Sequence, residues 1–98
     1  MHPTSIDGFE TLDDAARAIG KLRYDALSVF LWQLMFEMGQ QRDKDFEKGK
    51  KRLAKDADDL IQALGDASES AGYLFYRYRK YMEEELAKNP EMRYPSPE

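Results

Sequence analysis

From Thr11 onward, apolar side chains recur at three- and four-residue intervals, the spacing of one face of an α-helix. Leu12, Ala15, Ile19, Leu22, Ala26, Val29 and Phe30 share a stripe, with Asp14, Arg17, Lys21 and Ser28 opposite. Thr11 can accept from a backbone amide one turn on, and Asp13 and Asp14 face the positive end of the helix dipole. The pattern predicts a first helix from Thr11 to about Gly39.

A second helix is expected from about Asp43 to Leu64. Phe46, Leu53, Ala57, Leu60, Ile61 and Leu64 lie on its inward face, and Lys48, Lys51, Arg52, Lys55 and Asp59 on its outward face. Gly65 reads as a left-handed terminator, and Asp66 with Glu69 as the start of a third helix. That helix spans about Ala67 to Lys88, with Ala71, Leu74, Phe75, Tyr78, Met82 and Leu86 inward. A short turn forces the last two helices antiparallel. The expected fold is therefore all-α: a three-helix bundle of a long first helix plus an antiparallel helical hairpin, assembled as a dimeric bundle. Residues 1–10 read as a leader, 11–88 as one helical-bundle domain, and 89–98, with Pro90, Pro95 and Pro97, as a flexible tail.

Between Ala26 and Met38, ten of thirteen residues are apolar, and they surround the helix rather than marking one face. Leu27, Leu31, Met35 and Met38 lie away from the inward stripe, and Trp32 projects to the nominal solvent side. A helix apolar all round is covered on all sides, so these five residues predict a homodimer interface. Tyr73, Tyr76, Arg77 and Lys80 form a second expected surface, for a protein partner, because aromatic rings beside Arg and Lys favour interfaces.

Gln33, Glu37 and Gln40 fall on the face used earlier by Ala15, Leu22 and Val29. Either the helix changes neighbours midway or polar groups enter the core; in the second case Gln33 and Glu37 form a polar pocket for a small molecule or nucleotide. No residue is a candidate for catalysis or metal binding. There is no cysteine, the one histidine is His2, and no glycine-rich phosphate loop occurs. Di-metal bundle sites need inward Glu with Glu-x-x-His motifs, and the acids of Asp56–Asp59 and Glu83–Glu85 sit among basic residues on helix exteriors.

The net charge of −4 opposes general attraction to nucleic acids and anionic membranes. The basic stripe Lys44, Lys48, Lys51, Arg52 and Lys55 leaves a nucleic-acid accessory role as the weaker alternative. The apolar run is too short for a membrane span of roughly 20 residues. The N-terminus has no basic start followed by an apolar stretch, so together with the missing cysteines a soluble, cytoplasmic protein is expected. The reading is thus a non-catalytic, self-associating helical interaction module without a cofactor.

Overall fold

The computed structural model describes residues 2–92, and all regular structure among them is helical. Helix α1 (Leu12–Gly20) is capped by Thr11, whose hydroxyl accepts from the Asp14 N–H at 3.0 Å. Asp13 and Arg17 pair at 2.8 Å one turn apart on its exposed side. The helix stops after Gly20, where the missing side chain lowers helix propensity. Arg23 is then extended, at φ −57° and ψ 145°, and α2 (Tyr24–Glu47) begins.

The expected continuous first helix is therefore two helices. Ile19 and Leu22 keep phase with Ala26 and Val29, so periodicity alone does not reveal the break. Its reason lies elsewhere in the chain. The extended backbone at Arg23 lets the guanidinium donate to Asp25 and to three carbonyls between residues 85 and 90, contacts that a continuous helix would forgo.

The hairpin turn also lies elsewhere than the sequence predicts. Helix α2 runs through Gly39 and ends at Glu47, and α3 (Lys51–Tyr78) runs without interruption through Gly65. The reversal is at 48–50. Gly49 has φ +86°, the Lys50 N–H donates to the Asp45 carbonyl at 2.9 Å, and the Gly49 N–H donates to that of Phe46 at 3.0 Å. These bonds make the left-handed helix terminus expected at Gly65. The antiparallel hairpin is thus α2 against α3, and this pair carries most of the tertiary contact. Beyond α3 come a 3₁₀ turn (Arg79–Met82) and the short helix α4 (Glu83–Lys88).

The two long helices meet through small residues. Ser28 and Ser68 are 1% and 2% exposed, and each hydroxyl donates to the other residue's backbone carbonyl, at 2.7 and 2.8 Å. A Cβ at Gly65 would lie 3.1 Å from the Met35 sulfur. The buried apolar residues are Ala15, Val29, Ala54, Ala71 and Phe75, three of the five being alanine. Such a core is thin. The radius of gyration, 15.9 Å, exceeds the roughly 13 Å of a compact chain of this length. The described part of the expected tail, Asn89 to Met92, lies against the α1–α2 junction through Arg23 and Asp25; residues 93–98 of that tail, and Met1 of the leader, lie outside the described residues.

Candidate interaction surfaces

Ser28, Met35 and Arg42 fix the side of α2 that faces α3, through Ser68, Gly65 and an ion pair with Asp58 at 2.7 Å. The Asp58 and Asp43 carboxylates raise the already high pKa of the Arg42 guanidinium, Asp58 first. Stepping roughly 100° per residue from these contacts gives the hairpin two unlike flanks.

On one flank the helices leave clefts. One of about 440 Å³ near the turn is lined by Arg42, Asp43, Phe46, Lys51, Ala54, Lys55 and Asp58, and Lys51 sits 5.9 Å from the exposed Phe46 ring. Another, of about 300 Å³, lies between Val29, Gly72, Phe75, Tyr76 and Met92.

The other flank is apolar. Leu27, Leu31, Leu34 and Met38 are half-buried along α2. Beside them on α3, Leu53, Leu60, Leu74 and Tyr78 are 53%, 48%, 38% and 40% exposed. Leu53, Leu60, Ala67 and Leu74 are spaced by seven residues, so they form one nearly straight row. These leucines, Phe46 and Tyr78 were expected inward. Among the described residues α2 is the one long helix packed against α3, so the residues centred on Ala54, Ile61, Ser68 and Phe75 face inward and the heptad row is left at the rim. The seven-residue spacing was the available signal; what misled was the assumption that one apolar stripe has one neighbour.

The expected dimer residues divide. Leu27, Leu31 and Met38 lie on the apolar flank. Met35 turns to Gly65 of α3, and the half-buried Trp32 stacks on Phe36 with ring centroids 5.5 Å apart, so these two do not project to solvent. The reason is the shifted turn: α2 is paired along its length, and the side bearing Met35 and Trp32 meets α3. Gln33 and Glu37 are exposed and do not form the expected polar pocket. The break at 21–23 removes the phase argument that placed them on a buried face.

Tyr73, Tyr76, Arg77 and Lys80 are all exposed. Arg77 lies 6.0 Å from the Tyr73 ring and 5.8 Å from that of Tyr78, and donates to the Tyr73 hydroxyl at 3.4 Å. Arg79 covers Tyr76 at 5.6 Å and pairs with Glu91, while Lys80 lies 5.3 Å from the Tyr81 ring. The basic residues expected as one stripe are exposed but divided by the turn, with Lys44 on α2, Lys48 beside Gly49, and Lys51, Arg52 and Lys55 on α3.

The sequence reading missed the anchor formed by Arg23 and Asp25. Arg23 Nε and an Nη donate to the two Asp25 oxygens at 2.6 and 2.8 Å, and the side chains are 9% and 8% exposed. The other Nη donates to the carbonyls of Glu85 and Asn89 at 3.1 and 2.5 Å. Asp25 also accepts from the Ala26 and Met92 N–H groups. Burial alone would raise the Asp25 pKa, but the hydrogen bonds from Arg23 and these amides outweigh it and hold the carboxyl below its ordinary range. Its lone pairs are taken up by structural donors, so it is placed to hold the fold rather than to move a proton. The short Arg-x-Asp spacing was its sole sequence signal.

Among the described residues, no three His, Asp or Glu side chains are grouped to hold a metal ion, and no helix is long and apolar enough to cross a membrane. The chain matches no protein-family model, and no curated protein or solved structure is detectably similar to it.

Proposed function

We propose that this chain is a non-catalytic helical interaction module, working in the cytoplasm, that self-associates through the apolar flank of its α2–α3 hairpin. The observation that carries this reading is the row Leu53, Leu60 and Leu74, with Tyr78, left about half-exposed at regular spacing along one side of α3. Leu27, Leu31, Leu34 and Met38 continue the same flank on α2. Singly exposed leucines need no explanation, but an aligned series marks an interface.

Burial of the row supplies the driving force. Each leucine is half-covered already, so burying the rest adds about 1 kcal/mol apiece, counted twice across a two-fold interface.

Light scattering or sedimentation tests the proposal. A dimer is expected at tens of micromolar, shifting to monomer in Leu60→Asp while the helical circular dichroism is retained. A wild-type chain that stays monomeric at several hundred micromolar overturns it.

A further inference from the structure

We infer that the occupant of the leucine row is the α3 helix of a second copy, laid antiparallel, with the two-fold axis passing beside Ala67. This rests on the proposed self-association and adds its geometry. Within α3 the row is centred on Ala67, with Leu60 and Leu74 seven residues to either side. The smallest side chain of the row is at the centre, where two helices can approach most closely. Leu60 of each copy then meets the partner's Leu74.

Charge fixes the direction. Beside the row, on the side away from α2, α3 carries Asp56 and Asp59 with Arg52 in its first half, a net negative charge, and Arg77 in its second. Among the described residues Arg77 contacts rings and no acid, at 6.0 and 5.8 Å from Tyr73 and Tyr78. A parallel pair would set Arg77 against the partner's Arg77 and Asp56 against the partner's Asp56. The antiparallel pair, at roughly 1.5 Å rise per residue, brings Arg77 level with the partner's Asp56. A two-fold axis normal to the plane of the two helices keeps these groups on one side of the contact, within reach of the long guanidinium. Opposite charges meeting at an interface rim select orientation more than they add affinity. In this arrangement α2 and the partner's α2 also lie on one side of the α3 pair, so the apolar flanks close into a four-helix bundle with thin hairpins for halves.

Because the chain has no cysteine, engineered disulfides read the geometry directly. Helix positions facing each other across the axis can bring Cα atoms within roughly 4.4–6.8 Å, whereas residues seven positions off centre are roughly 20 Å from their own copies. Under mild oxidation Ala67→Cys is expected to form a homodimeric disulfide. Leu60→Cys alone and Leu74→Cys alone should not, and an equimolar mixture of those two variants should cross-link one to the other. Arg77→Asp should weaken the dimer by roughly three- to tenfold, and adding Asp56→Arg should restore it. Cross-linking of Leu60→Cys to itself establishes a parallel pair and overturns the inference, as does a wild-type dimer in which neither Ala67→Cys nor the mixed pair links. A monomeric wild type instead overturns the self-association on which it rests.

Discussion

Arg23 grips Asp25, two residues ahead of it, through two hydrogen bonds, and the same guanidinium reaches more than sixty residues along the chain to the carbonyls of Glu85, Asn89 and Pro90. One side chain thereby holds the α1–α2 break open and ties down the C-terminal segment. Removing it leaves the Asp25 carboxylate buried without its cation. Arg23→Ala is expected to cost about 2 kcal/mol and to expose the segment around Glu85 to Met92 to protease. Arg23→Lys should recover little, because one ammonium cannot reproduce a planar fork that serves two carboxylate oxygens and three carbonyls. Denaturant melts and timed proteolysis measure both. A lysine variant as stable and as protected as the wild type would show that charge alone suffices.

The same pair sets an acid limit. The Asp25 carboxyl is held below its ordinary range in the fold, so the unfolded chain, with a value of roughly 3.9, takes up the proton first. The stabilisation is therefore complete above about pH 4 and is lost as pH falls through the lower, folded value. Hydrogen exchange at the Met92 amide, which donates to Asp25 at 3.3 Å, should accelerate on acidification over that window beyond the intrinsic pH trend. Asp25→Asn should show no such step. Identical acid profiles for the two proteins would separate the anchor from this ionisation.

The two glycines at the heart of the topology predict opposite outcomes. Gly49 is at φ +86°, so Gly49→Ala should lower stability by about 1 kcal/mol. Gly65 is inside α3, where alanine is the better helix former, and the only close contact for its new Cβ is the flexible Met35 thioether at 3.1 Å. Gly65→Ala should be neutral or stabilising by about 0.5 kcal/mol. Thermal melts of both variants discriminate the observed hairpin from one turning at Gly65, for which the signs would reverse.

Those glycines also show how far the sequence could be read. The helical content, the Thr11 cap and the existence of an antiparallel pair follow from local signals, because periodicity and capping act within a few residues. The turn did not follow. Gly49 and Gly65 are each flanked by residues that a helix tolerates, and what separates them is the pairing of α2 with α3 through Ser28, Ser68 and Arg42, contacts distant in sequence. The error passed on to the surfaces. Of the five residues expected at a dimer interface, Leu27, Leu31 and Met38 lie on one flank of α2, whereas Trp32 and Met35 turn toward α3, a neighbour that the expected turn at Gly65 did not set beside them. The leucine row of α3 was visible as a heptad, but its exposure depends on there being one long neighbour rather than two. Arg23 and Asp25 carried no periodic signal at all, since their role is defined by carbonyls at the far end of the chain.

Where α2 crosses α3, Ser28 and Ser68 exchange hydrogen bonds across 40 residues of sequence, with their hydroxyl oxygens 3.3 Å apart. The carbonyls they reach lie on helix backbones, so the hydroxyls are added donors between the helices, and their small size sets how near the axes come. Ser28→Ala or Ser68→Ala alone should cost about 1 kcal/mol, the net worth of a buried hydrogen bond. The double variant should cost less than the sum, by about 0.5 kcal/mol, since each single change already disturbs the hydroxyl contact they share. Ser68→Leu should be far worse, by about 3 kcal/mol, because a branched side chain has to push the helices apart in a core in which three of the five buried apolar residues are alanine. Urea denaturation with an unchanged slope measures all four. Strict additivity of the alanine changes, or tolerance of leucine at position 68, would show that the two helices do not cross in contact at these serines.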